Sequence, residues 1–152
     1  MRGGRFSDEA VSRTMRPRRR EKQLLAESFL RYNFGMAHNQ KIGRWGEDVA
    51  AEYLTQKGYE IRARNARTPY GELDLIVMYN GRLVVVEVKT RTSSRYGHPE
   101  LAITPRKQEH LIASAEHYAQ EHNIDHWQID AISVEGKPNG GTPKITHFED
   151  IL

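Results

Sequence analysis

Three charged residues stand where a chain usually keeps apolar ones. Asp74, Glu87 and Lys89 lie within "GELDLIVMYNGRLVVVEVKT", Gly71 to Thr90. Its two halves read as strands joined by Asn80-Gly81, the favoured pair for a two-residue type I′ turn because both positions need positive φ. That turn fixes the register: Tyr79 faces Arg82, Met78 faces Leu83, Ile76 faces Val85, Asp74 faces Glu87 and Glu72 faces Lys89. The alternate face carries Leu73, Leu75 and Val77 against Val84, Val86 and Val88, all core residues. Carboxylates so opposed have Cβ atoms ~4.5–5.5 Å apart. They repel, and apolar neighbours leave little water to screen them. A shared proton, a nearby cation such as Lys89, or a bound divalent metal would each relieve the repulsion. Hard oxygen ligands in a chain without cysteine suit Mg²⁺ or Mn²⁺ better than Zn²⁺. A metal on Asp74 and Glu87 would polarise a phosphoryl oxygen and acidify a bound water. Lys89, two residues beyond Glu87, emerges on the same strand face, placed to orient that water or steady developing charge. The plainer alternative is a Glu72–Lys89 cross-strand ion pair with Asp74 in solvent. The register coincidence and the apolar flanks favour a site.

These residues must be positioned by the rest of the chain. "GRWGEDVAAEYLTQKGY" predicts a helix with Val49, Ala50, Tyr53 and Leu54 on its apolar face and Gly58 as its stop. Glu47 falls on or beside the buried stripe, where it could lean over the sheet as a further ligand. On spacing alone an acid favouring the helix dipole in the first turn is the better account, and Asp48 fits it equally well. "YEIRARN" alternates as a half-wet strand, and "ARTPYG" reads as a loop. Thr104 and Pro105 form a cap and first position for a helix to about Asn123 that buries Leu111, Ile112, Ala115, Tyr118 and Ala119. "WQIDAISV" is a strand, and "ITHFEDIL" an edge strand or a tail. The order is α-β-β-β-α-β, a mixed sheet with helices against it. Arg91 and Arg95 follow the lysine strand, placed to meet phosphates. Lys107, one turn before Leu111, points inward toward the sheet or into solvent.

The chain is 152 residues long, with 38% hydrophobic and 28% charged residues, which suits one soluble domain plus extra chain. Net charge is +3, but residues 1–22 alone carry +5, so the remainder sums to −2. Residues 1–38 are expected to be a basic leader, disordered or partly helical, that either binds nucleic acid without specificity or is a solvated tail. "RREKQLLAESFLRYNFG" has helical spacing, and Met36 offers a second start, so residues 1–35 are expected to be dispensable. Residues 39–152 form the domain. No apolar run reaches the ~20 residues of a membrane helix. The absence of cysteine accords with a reducing cytoplasm. Walker loops, nucleophile elbows and dinucleotide fingerprints are missing.

An Asp, a dozen residues, then Glu-x-Lys on the partner strand resembles the PD-(D/E)XK nuclease superfamily. More closely, "GRWGEDVAAEYLTQKGYEI", "RN", "GELDLI", "VVEVKTR", "YG", Lys107 and Asp130 resemble the uncharacterised bacterial YraN family, related to archaeal Holliday-junction resolvases. The resemblance covers about Lys41 to Val134. It implies a restriction-endonuclease-like α/β (α+β) fold and an active site of Glu47, Asp74, Glu87 and Lys89. It implies Glu47, Asp74 and Glu87 as metal ligands for Mg²⁺ or Mn²⁺. It also implies a phosphodiester substrate, with branched or structured DNA foremost, Lys107 as a second basic contact, and pairing into a homodimer. Gln128 departs from the pattern, since relatives often carry a basic residue there. The alternative function is an inactive nucleic-acid-binding or scaffold protein on the same fold.

Overall fold

A computed structural model of the protein describes residues 19–92 and 103–152, with side chains from residue 37 onward. Two units divide the chain, Met1–Ala37 and His38–Leu152. The expectations for residues 1–18, and Arg95, lie outside the described residues. The element order is α1 (Arg19–Gln56), β1 (Glu60–Thr68), β2 (Gly71–Tyr79), β3 (Arg82–Arg91), α2 (Pro105–Glu121), β4 (Trp127–Glu135) and β5 (Lys144–Phe148). The predicted mixed sheet flanked by helices is observed, with Ile145–Phe148 falling in a fifth, edge strand. The two helical patterns read in "RREKQLLAESFLRYNFG" and "GRWGEDVAAEYLTQKGY" both fall in α1, the second as far as Gln56. No helix of the described residues is long and apolar enough to cross a membrane.

The sheet order follows the chain, β1-β2-β3-β4-β5. Only β3 and β4 pair in parallel, because α2 is the crossover that links them. Asn80 and Gly81 take φ 49° and 78°, as the type I′ turn requires. Gly58, at φ 89°, ends α1 while the Tyr59 N–H donates to Leu54 O at 3.0 Å, a Schellman closure. Thr104 caps α2 by accepting from the Lys107 N–H at 3.3 Å.

Each sheet face buries one cluster. Ala50, Ala51 and Leu54 of α1 pack on Leu75, Val77, Val84, Val86, Ile132 and Val134. Leu111, Ala115 and Ala119 of α2 pack on Leu73, Ile76, Leu83, Val85 and Ile129. Two packing expectations are corrected. Leu73 lies with the α2 cluster, not with Leu75 and Val77: the alternation breaks across Asp74, opposite which Asn65 of β1 sits at φ 49°. Ile112 is exposed on the outer side of α2, one position off the buried stripe Leu111–Ala115–Ala119. The expected loop "ARTPYG" shrinks to a turn at Pro69-Tyr70, because Ala66–Thr68 continue β1.

Candidate active site

The site begins where the sheet divides. The β2–β3 ladder runs from Tyr79↔Arg82 to Leu75↔Val86, in the register the turn dictates, and stops. Beyond it β2 stays with β1 as far as Thr68↔Gly71, while β3 stays with β4 as far as Arg91↔Glu135. Asp74 and Glu87 are the first residues past the split. Asp74 Oδ2 accepts the Val88 N–H at 2.9 Å, so the carboxylate satisfies a backbone donor on the side where β2 has left. The expected Glu72–Lys89 facing pair does not form. Glu72 is instead the ladder partner of Arg67 and lies 3.5 Å from its guanidinium, because β2 has followed β1.

The split joins the two faces of the sheet. Thr90 faces α1, where it meets Gly46 so closely that a Cβ on Gly46 would overlap its side chain. Alternation turns Glu87 and Lys89 toward α2. Yet Glu87 and Lys89 also line a cleft of about 850 Å³ together with Glu47 and Asp74. Glu47 comes from the α1 side, where the tight Gly46–Thr90 contact seats its helix. His38, Lys41 and Lys137 are among its other polar lining residues.

Burial raises the Asp74 carboxyl first, and the neighbouring Glu87 charge raises it further; the Val88 N–H and Lys107 pull the other way. The result is about 6. Glu47 is also raised, chiefly by burial, then by Asp74, Glu72 and Asp48, against the hydrogen bond from Asn65 Nδ2 at 3.1 Å. Glu87 has a side chain only 13% exposed, with Lys107 Nζ 3.1 Å from Oε2. That contact has the distance of an ion pair but not hydrogen-bond alignment, so buried Oε2 has no hydrogen-bond donor. Lys89 is exposed at the cleft, and no ion pair or hydrogen bond of its side chain is found among the described residues.

All four expected site residues therefore line one cleft. Lys107 meets Glu87 directly, and Arg91 ends β3 beside the site, its carbonyl accepting the Gly136 N–H at 2.8 Å. Among the described residues no three His, Cys, Asp or Glu side chains are gathered as a ready-made metal cluster. The donors nonetheless fit a hard divalent ion: oxygen ligands only, a buried carboxylate oxygen lacking a hydrogen bond, and an acid strained by its neighbour's charge. Sequence reasoning gave no role to Asn65, Lys41, Lys137 or Ser133. Asn65 was within reach as the "RN" pair, because a strand Asn in the left-handed region marks an irregularity. The other three enter from distant segments. Asp130 is not in the cleft. It is fully buried, accepting from His147 Nε2 and Gln128 Nε2, both at 2.8 Å, and from the Asp150 N–H at 2.9 Å. Gln128 thus supplies the donor that a basic residue would have provided.

Residues 46–134 match the model of the family described as "Uncharacterised protein family UPF0102". A UPF0102 protein of Dehalococcoides mccartyi is 46% identical over 103 residues, spanning 66% of this chain and 85% of that protein. One from Syntrophomonas wolfei is 52% identical over 110 residues, spanning 72% of this chain and 96% of that one. A Pyrococcus furiosus SfsA structure in complex with Ca²⁺ aligns at 17% identity and a TM-score of 0.36, over 73% of this chain and 63% of that one. That likeness carries no argument.

Proposed function

Because the chain belongs to the UPF0102 family, whose description names no activity, we propose from its own geometry that it is a metal-dependent nuclease of the PD-(D/E)XK kind. It would hydrolyse phosphodiester bonds in DNA, with branched or structured DNA the leading substrate. One observation carries the reading: two adjacent, largely buried carboxylates, Asp74 and Glu87, at a split in the sheet, in a cleft that Lys89 also lines. Such a pairing works against folding, and phosphate chemistry with a cation is what it suits.

Asp74, Glu87 and Glu47 would hold Mg²⁺ or Mn²⁺, which when bound polarises a phosphoryl oxygen and acidifies water. Lys89 Nζ orients the attacking water and steadies the charge that develops on the phosphate oxygens. As the water gives up a proton to solvent and its oxygen bonds to phosphorus, the bond to the leaving sugar oxygen breaks and that oxygen takes up a proton from solvent. Lys107 balances Glu87, Lys41 and Lys137 meet flanking phosphates, and Arg91, at the end of β3, meets a phosphate further on, the role the sequence also suggests for Arg95. The proposal extends to nucleic acid in the cytoplasm as the partner, and to pairing of two copies.

A second reading, a nucleic-acid-binding or scaffold protein without turnover, is favoured by the Lys107 ammonium already on Glu87. Labelled branched, single-stranded and duplex DNA and RNA, incubated with the protein and Mg²⁺ or Mn²⁺, separate the two. Cutting lost in Glu87→Ala and Lys89→Ala supports the nuclease. Binding without cutting, unchanged by either substitution, supports the module.

A further inference from the structure

A second cavity adjoins the cleft on the α2 side of β3. It encloses about 260 Å³ and is lined by Glu87, Lys89, Ile103, Lys107, Ala131 and Ser133 among others. This is less than the ~300–1,000 Å³ of pockets that take whole small molecules, so a compact group is its natural occupant. Strand register explains its walls. In the parallel β3–β4 ladder Glu87 pairs with Ala131 and Lys89 with Ser133, so these four side chains share the face that α2 covers. Ser133 is 1% exposed, and its Oγ has no hydrogen-bond partner. A buried hydroxyl in that state is a standing penalty unless something arrives to bond it. Thr104 caps α2 above the cavity, and Lys107 is the third residue of that 17-residue helix, so the helix's positive end adds to the lysines.

The charge balance selects the group. Lys107 already neutralises Glu87, which leaves the Lys89 charge and roughly +0.5 from the helix end. A phosphomonoester, at about −1.5 to −2 near neutral pH, matches that surplus better than the single charge of an internal diester. A small, partly open pocket also suits the end of a strand better than a strand passing through.

We propose that this pocket binds the terminal phosphate of a nucleic-acid strand, held by the ammonium groups of Lys89 and Lys107 and the Ser133 hydroxyl beside the Asp74–Glu87 site. The inference rests on the nuclease reading for the identity of the polymer, but binding tests it without cleavage. Fluorescence anisotropy in EDTA compares one oligonucleotide bearing a 5′-phosphate, a 3′-phosphate or hydroxyls at both ends. One phosphorylated end binds at least tenfold more tightly than the hydroxyl-ended strand. Ser133→Ala reduces that preference at least threefold and leaves the hydroxyl-ended affinity unchanged. Ser133→Ala removes an unpartnered hydroxyl and keeps the fold. Lys107→Gln, a second probe, reduces the preference further. Equal affinity for all three ends, or a preference indifferent to both substitutions, overturns the pocket. A protein that cuts DNA yet ignores end chemistry sinks this inference alone. One that prefers phosphorylated ends but never cuts with Mg²⁺ or Mn²⁺ sinks the nuclease reading alone.

Discussion

Replacing Asp74 with Asn should stabilise the domain at neutral pH and abolish the proposed cleavage. The Asp74 carboxyl titrates at about 6 in the folded protein against an ordinary 3.8, because burial and the Glu87 charge both oppose its ionisation. The folded state therefore holds this proton more tightly than the unfolded chain does. Below about pH 4 the group is protonated in both states and carries no penalty; the penalty grows as pH rises and is complete above about pH 6. At ~1.4 kcal/mol per pH decade, the gap amounts to about 2–3 kcal/mol at pH 7.5. Asn keeps an oxygen that can accept the Val88 N–H, so the substitution removes the charge and spares the hydrogen bond. At roughly 3–6 °C per kcal/mol for a domain of this size, Asp74→Asn should melt about 6–18 °C higher at pH 7.5. The advantage should vanish near pH 4. Circular dichroism melts across pH 4–8.5 read both limbs. Millimolar Mn²⁺ adds a cross-check, since an ion that binds the native state raises its melting temperature: the wild type should gain and Asp74→Asn should not. If Asp74→Asn melts at or below the wild type at pH 7.5, the carboxylate pair is not under charge strain and the case for a site at the split fails.

Lys89→Met should lower cleavage about a hundredfold or more yet leave melting unchanged, since Lys89 is exposed and its side chain holds no partner among the described residues; a matching loss of stability would make it structural. Gly46→Ala pushes a methyl into Thr90 and should cost ~1–3 kcal/mol, while displacing Glu47 enough to weaken Mn²⁺-induced stabilisation. An unchanged melt would mean α1 does not sit tightly on β3. His147→Ala removes a donor from fully buried Asp130, and the pair's ring is itself 4% exposed. The loss should be about 3–5 kcal/mol, with faster hydrogen exchange over residues 144–151, which Asp130 and Ile129 tie down; exchange confined elsewhere would contradict that assignment.

Local chemistry was legible in the sequence, and competition between partners was not. Asn80-Gly81 announced its turn, Thr104-Pro105 its helix start and Gly58 its helix end, each because a backbone conformation demands those residues. The register that brings Asp74 beside Glu87 followed from the turn alone and holds up to Leu75↔Val86. What the hairpin could not reveal is where pairing stops. That depends on β1 and β4 pulling the two strands apart, one joined to β2 through the Pro69-Tyr70 turn and the other separated from β3 by α2. Glu72 was misplaced because it travels with β1 once the ladder ends, and Leu73 because the alternation breaks across Asp74. Ile112 failed by one step of helical phase, which a moderate apolar stripe does not resolve. Ser133 had no signal at all, because its meaning comes from a parallel pairing with Lys89 that no local pattern encodes.

The split also explains how an acid pair can survive folding without a metal. Antiparallel continuation of β2 and β3 would have locked Asp74 and Glu87 face to face with backbone on either side. Divergence lets each acid find a different compensation: Asp74 takes the Val88 N–H, and Glu87 takes the Lys107 ammonium. Lys107 reaches there because α2 is the crossover that a parallel β3–β4 pair requires. The topology that opens the cleft is thus the same one that supplies its balancing cation. A buried charge stripped of its partner is far costlier than a buried pair, so Lys107 makes the cation-free fold tolerable while leaving Glu87 Oε2 without a hydrogen bond and Asp74 still under strain. A hairpin designed for stability alone would have carried two more valines at these positions; the chain instead holds its acids in reserve at the one place in the sheet where both faces open to a common cleft.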